Sequence, residues 1–194
     1  MRALAVISLA GAACGDVKGE VDAEVRPVAC NGGPVDVLPN GNFDSPDPPW
    51  RQDPVSPSLL CGLPRITPDS GAVAGCLGGG GDGSISSLSR TISLPVGAAS
   101  AKLVGRVCIA TEETQPSDMD ILTFDILDGT TSIGTLGRRT NQQGATACDF
   151  MSFTLEAPLA RDPATATFRI QAALDVGGST SFYVDTLMLS VTCR

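Results

Sequence analysis

From Val35 onward the chain breaks into short runs of alternating apolar and polar residues, cut by Gly, Pro, Asn and Asp. No window of a dozen residues carries the 3.6-residue apolar period of an amphipathic helix, so the alternation predicts an all-β fold. Leu88–Leu94 places Leu88, Ile92 and Leu94 on one face, and Lys102–Ala110 does the same with Leu103, Val107 and Ile109. Ile121–Leu127 runs into Asp128-Gly129, a pair suited to a tight turn, with Ser132–Leu136 as the returning hairpin strand. Met151–Leu155 and Thr165–Leu174 continue the pattern, the latter with Ala166, Phe168, Ile170, Ala172 and Leu174 facing inward.

The last run, Ser181–Thr192, changes phase part-way. Phe182 and Val184 share one face, whereas Leu187, Leu189 and Val191 share it only if an extra residue intervenes. This predicts a β-bulge at Asp185-Thr186 that re-aims the Asp185 side chain. Gly78–Gly81 with Asp82-Gly83 is too glycine-rich for the interior of an element, and it lacks the Gly-Lys-Ser/Thr ending of a phosphate loop. Pro46–Pro57 reads as an extended surface connection with Trp50 near its centre.

Composition narrows the class. Against 21 Asp and Glu stand 13 Lys and Arg, a net charge of -8. An acidic surface repels phosphate backbones, which argues against nucleic acid and anionic lipid as partners. The seven cysteines are Cys14, Cys30, Cys61, Cys76, Cys108, Cys148 and Cys193, none in a CxxC pair, and there is no histidine. A Cys/His zinc site is therefore impossible, and disulfides formed in an oxidising compartment are the better reading.

The N-terminus agrees. Met1-Arg2 is a minimal positive region, and Ala3–Ala10 is a short apolar segment followed by small residues up to Cys14, the layout of an export signal. No stretch approaches the roughly 20 apolar residues of a membrane span. Gly11-Ala12-Ala13-Cys14 resembles a bacterial lipoprotein cleavage box, with Gly11 where an aliphatic residue is usual; the alternative is ordinary cleavage near Ala13. Lipidation of Cys14 would leave six cysteines, enough for three disulfides. The expected organisation is a signal peptide over 1–13, a lipidated Cys14 with an acidic tether over 14–28, and one β-sandwich domain over 29–194. An exported monomer is expected, touching a membrane only through its lipid or else secreted.

Leu38-Pro-Asn-Gly-Asn-Phe-Asp44 followed by Trp50 resembles the opening of galactose-binding-like jelly rolls, the superfamily that includes several carbohydrate-binding modules. Thr180-Ser-Phe-Tyr-Val-Asp185-Thr-Leu-Met-Leu189 is similar to their last strand, and Leu88–Pro95, Ala101–Leu103 and Asp120–Phe124 resemble strands between. The resemblance implies an antiparallel β-sandwich whose first and last strands are neighbours, which would bring Cys30 and Cys193 together. Cys61 with Cys76 would then close a short loop and Cys108 with Cys148 would link two central strands, although six cysteines allow 15 connectivities. It also implies a structural calcium ion held by Asp44 and Asp185. The chain departs from the pattern with Thr186 where a second aspartate is usual and with Asp44 for a glutamate.

The function this implies is non-catalytic binding of a carbohydrate, with Trp50 and Tyr183 as the stacking surface for sugar C–H groups. Trp50 could equally plug one end of the sandwich. The alternative is a structural or protein-interaction lipoprotein of the bacterial envelope, using Glu112, Glu113 and the Pro116–Asp120 loop for contacts. Catalysis has little support: no histidine exists for a Ser-His-Asp or Cys-His arrangement, and the carboxylates Glu112, Glu113, Asp118 and Asp120 carry no mark of a glycosidase acid.

Overall fold

The computed structural model describes residues 33–46, 49–80, 83–113 and 119–194. The export signal, Cys14, the tether and Cys30 lie outside these residues.

Among the described residues the chain forms eleven strands and one short 3-10 turn. The strands are β1 (Val35–Asp36), β2 (Arg51–Asp53), β3 (Leu60–Cys61), β4 (Ala74–Gly78), β5 (Ile85–Ser93) and β6 (Ala98–Thr111). They continue as β7 (Ile121–Asp128), β8 (Thr131–Thr140), β9 (Met151–Pro158), β10 (Thr165–Ala173) and β11 (Thr180–Cys193), with the 3-10 turn at Asn141–Gln143. One sheet has the order β3-β4-β11-β6-β9, with β1 also paired to β11; the other has the order β2-β5-β10-β7-β8. All these strand pairings are antiparallel. The fold is a jelly-roll β-sandwich.

The inner faces of the two sheets meet in one core. Leu88, Ile92, Leu103, Val107, Ile109, Phe168, Ile170 and Ala172 are buried there, on the faces that the alternation assigns. Phe124, Phe168 and Phe182 are fully buried, and each such side chain contributes roughly 1.5–3 kcal/mol by leaving water. The Asp128-Gly129 turn joins β7 to β8, with Gly129 at φ 60°.

Strand β11 is the axis of the first sheet. Along one edge it pairs with β6 throughout; along the other it pairs with β4 over 181–184 and with β1 at 190–191. The change of partner is where the expected bulge lies: the β6 register slips between Asp185 and Met188, and Thr186 takes φ 52°. Leu187 there donates its N–H to the Gly41 carbonyl at 2.9 Å, which brings the 40–43 turn across the gap between β4 and β1. The bulge returns Leu187, Leu189 and Val191 to the core.

Two disulfides are described, Cys61–Cys76 and Cys108–Cys148. Cys193 is also disulfide-bonded, while the Cys30 half of the expected bridge lies outside the described residues. One detail differs from expectation: Cys148 sits in the connection before β9, so its bridge ties a loop to strand β6 instead of joining two strands.

Candidate functional site

The two outer faces of the sandwich differ. On the β4-β11-β6 sheet, Tyr183, Cys76 and Cys108 form a second buried cluster, packed beneath Cys61, Ile66, Ala110, Cys148 and Phe150. The disulfides hold the covering loops down, and Arg106 adds a clamp: its guanidinium donates to Asp69 at 3.0 Å, to Ser152 at 2.7 Å and to the Phe150 carbonyl at 2.7 Å. Tyr183 is therefore only 8% exposed.

The outer face of the other sheet is polar. Register places Arg51, Ser89, Arg169, Asp125 and Thr135 in one row across all five strands, and Asp53, Ser87, Gln171, Thr123 and Arg138 in the next. Within the first row Arg169 donates to Asp125 at 3.1 Å and Thr135 donates to Asp125 at 2.9 Å. No aromatic residue stands in either row.

Neither residue expected to stack on a sugar is placed to do so. Trp50 is 4% exposed, its ring 4.9 Å from Phe43 and 6.2 Å from Phe168, with Arg90 at 5.9 Å over its face. Its indole N–H donates to the Asn40 carbonyl at 3.0 Å, which satisfies the one polar atom it buries. The residue before β2 thus plugs the core. Tyr183 is covered by disulfide-pinned loops. A stacking surface made of this pair is excluded by burial.

One concavity lies where the end of β4 in one sheet faces the start of β5 in the other. It has a volume of about 310 Å³ and is lined by Pro54, Pro57, Leu59, Ile85 and Gly78–Gly80, with Arg65, Ser58, Ser84 and Ser86 as polar groups. That volume falls at the lower end of small-ligand sites, about 300–1,000 Å³. Several structural causes converge on it. The proline-rich segment cannot join a central ladder and loops outward. Gly78 and Gly79 take φ of 74° and 67°, which a side chain would oppose. The Ser86 hydroxyl accepts the Gly78 N–H at 3.0 Å and so fixes the wall. Ile85 is 62% exposed, an apolar side chain on the outward phase of β5. A larger hollow of about 420 Å³, lined by Asp36, Val37, Pro39, Thr91, Ile92 and Ser93, offers no cation.

Sequence reasoning passed over Arg65 and Ile85. Ile85 had a legible signal, because it stands three residues before Leu88 and so falls on the polar phase of its strand. Arg65 had none, since only the fold brings it beside Gly79.

Asp44 and Asp185 do converge on one loop, residues 69–73. Asp185 is fully buried; it accepts the Ser70 N–H at 2.9 Å and the Thr186 N–H at 2.6 Å, one on each oxygen. Burial raises its pKa, a shift only partly offset by the Ser70 and Thr186 N–H groups. Asp44 accepts the Ala72 N–H at 2.8 Å and the Val73 N–H at 3.2 Å on one oxygen, and the Asn42 amide at 3.1 Å on the other. Five N–H donors aim at these four oxygens, so the arrangement suits a hydrogen-bonded clamp better than the all-oxygen shell that calcium takes.

A different group brings three carboxylates together. One oxygen from each of Glu113, Asp120 and Asp175 lies within 4.8 Å of the others. Asp120 is fully buried, which removes it from the outward contacts expected of the acidic loop. Burial also denies a glycoside access to it as a catalytic acid.

No family model matches the sequence, and no curated protein matches it. Solved structures do share the fold. TmCBM61, determined in complex with β-1,4-galactotriose, aligns with TM-score 0.52 at 14% identity, over 80% of this chain and 97% of that one. The K3 cleaved adhesin domain of Lys-gingipain from Porphyromonas gingivalis w83 aligns with TM-score 0.55 at 12% identity, over 81% and 99%. The Stig cyclase Fisc from Fischerella sp. TAU, in complex with an indole-derived ligand, aligns with TM-score 0.54 at 14% identity, over 84% and 100%. The shared feature is the β-sandwich architecture, which a carbohydrate-binding module also has. It is shared by an adhesin domain and an enzyme, so the site has to decide the function.

Proposed function

We propose that this chain is a non-catalytic saccharide-binding module, and that the groove between the 54–59 segment, Gly78–Gly80 and Ile85 takes the sugar. The observation that carries the reading is the groove itself, a concavity of about 310 Å³ lined by apolar side chains together with Arg65 and three serines. Proline rings, Leu59 and Ile85 present C–H surface to the apolar face of a sugar ring, while Arg65, Ser58 and Ser84 offer hydrogen bonds that orient it. The likeness in fold to a module solved with β-1,4-galactotriose supports the ligand class. In the described residues the paired cysteines agree with an exported protein. Display on an envelope through a lipidated Cys14 is part of the same proposal.

The test is binding of the oxidised, folded chain to a polysaccharide panel, with β-1,4-galactan as the first probe. Arg65→Ala and Ile85→Glu alter exposed groups of the groove, and each is expected to weaken binding at least tenfold with an unchanged melting temperature. Arg169→Ala, on the open sheet, is expected to leave binding intact. Folded protein that retains no polysaccharide, or binding that survives both groove variants, would overturn the assignment.

A further inference from the structure

We propose that Glu113, Asp120, Asp175 and Asn141 form a site for a hard divalent cation of the calcium type, at the end of the sandwich where β6, β7, β8 and β10 terminate or begin. The proposal is independent of the saccharide reading. Glu113 lies two residues beyond β6, Asp120 immediately before β7, Asp175 two residues beyond β10, and Asn141 opens the 3-10 turn after β8. Three connections, β6–β7, β8–β9 and β10–β11, thus deliver these side chains to one point, although no two of them are close in sequence apart from Glu113 and Asp120.

Three carboxylates with an oxygen each inside 4.8 Å repel one another when ionised. Acidic residues alone would not make a site, and two further observations point to a ligand. Asp120 and Asn141 are both fully buried, and each keeps a buried oxygen with no hydrogen-bond partner, Asp120 Oδ2 and Asn141 Oδ1. The remaining atoms of both side chains are engaged within the cluster. Asp120 Oδ1 accepts the Asp175 N–H at 2.8 Å, Asn141 Nδ2 donates to Glu113 Oε2 at 2.7 Å, and the Asn141 N–H reaches the Asp120 carbonyl at 3.2 Å. A buried acceptor lacking a donor is costly, and a bound cation would compensate both oxygens while neutralising the carboxylates.

The donor set selects the kind of ion. Every candidate atom is a carboxylate or amide oxygen, which suits a hard cation and disfavours zinc or copper. Oxygens bound to one calcium ion at about 2.3–2.6 Å stand no more than about 5 Å apart, and the three carboxylate oxygens meet that limit. The neighbouring turn is built to leave room: a Cβ on Gly177 would come within 2.8 Å of Glu113 Oε1 and 3.0 Å of Asp175 Oδ1.

The experiment uses the oxidised chain stripped with EDTA and titrated with CaCl2, followed by calorimetry and by thermal melting. The expected result is one saturable binding event that raises the melting temperature as mass action requires. Glu113→Gln and Asp175→Asn should weaken it by about tenfold or more while melting like the wild type in EDTA. Asp44→Asn should leave it unchanged. Absence of calcium binding by the folded wild type would overturn the site, as would binding that is indifferent to Glu113→Gln and Asp175→Asn or that disappears with Asp44→Asn.

Discussion

Asp44 and Asp185, 141 positions apart in the sequence, hold opposite ends of one loop: Asp185 takes the N–H of Ser70, and Asp44 takes those of Ala72 and Val73. The loop in turn carries Asp69, the ion-pair partner of Arg106 at 3.0 Å. A buried carboxylate therefore organises the cover over the Tyr183 cluster, and its protonation is coupled to stability. Burial raises the Asp185 pKa in the folded chain. The stability it contributes is then fully present below the unfolded value of about 3.9 and is lost as pH rises through the raised folded value. Asp185→Asn removes that titration. The stability difference between wild type and this variant, measured by urea unfolding at intervals from pH 3.5 to 7.5, should shift against the wild type as pH rises above the unfolded value of about 3.9. A difference that stays flat, or shifts the other way, would show that the folded pKa is not raised.

Gly41 is required by close approach. A Cβ at that position would lie 1.8 Å from the Leu187 carbonyl oxygen, and Leu187 already donates to the Gly41 carbonyl at 2.9 Å. Gly41→Ala must push the 40–43 turn off the bulge, combining overpacking with a lost hydrogen bond. The expected loss is roughly 3 kcal/mol, read as a lower urea midpoint. Gly129→Ala is a useful comparison, because a Cβ there meets nothing within 4 Å and its cost comes from φ 60° alone, about 1 kcal/mol.

The long strands and the bulge were legible because both depend on local alternation. The slip of phase between Val184 and Leu187 can be seen in the sequence, and it becomes a register shift in the sheet. The short strands β1 to β3 were not legible, since two or three residues carry no period, and β4 escaped because its Ala-Gly-Cys-Leu-Gly run is buried at every position but the last. The fates of Trp50 and Tyr183 depended on what the loops do afterwards. An aromatic residue in a proline-rich connection is equally compatible with a binding surface and with a plug, and only the position of Phe43 and Phe168 decides it. The Glu113, Asp120 and Asp175 cluster was half visible as an acidic loop. Asp175 and Asn141 come from elsewhere in the chain, so their convergence belongs to topology.

Trp50 illustrates how burial changes the meaning of a mutation. Trp50→Ala would vacate a space between Phe43 and Phe168 and remove the indole N–H from the Asn40 carbonyl, which keeps the Phe43 N–H at 3.2 Å. Removing a buried tryptophan costs about 3–5 kcal/mol, so any loss of ligand binding in this variant should track unfolding. Trp50→Phe keeps most of the volume and loses the hydrogen bond. Comparing urea midpoints with polysaccharide retention for both variants separates the roles: a Trp50→Ala protein that melts like the wild type and still fails to bind would restore Trp50 to the ligand surface.

The disulfides pin different loops over one sheet face and should differ in weight. Cys61–Cys76 spans 15 residues and Cys108–Cys148 spans 40, so restriction of the unfolded chain predicts stabilisations of about 3 and about 4 kcal/mol. Their structural consequences differ in the opposite sense. The Cys61–Cys76 bridge fastens β3 and the 61–66 loop to β4, and both Cys76 and Arg65 line the groove, whereas the Cys108–Cys148 bridge holds the loop before β9 on the far side of Tyr183. Replacing Cys108 and Cys148 together by serine should therefore lower the urea midpoint more yet leave the ligand affinity of the folded fraction unchanged. Replacing Cys61 and Cys76 should cost less stability and more affinity, because the loop that carries Arg65 loses its covalent anchor. Equilibrium unfolding and polysaccharide binding on the two double variants, each compared with the oxidised wild type, check both orders at once. If both pairs weaken binding in proportion to the stability they remove, the groove is not positioned by the Cys61–Cys76 bridge.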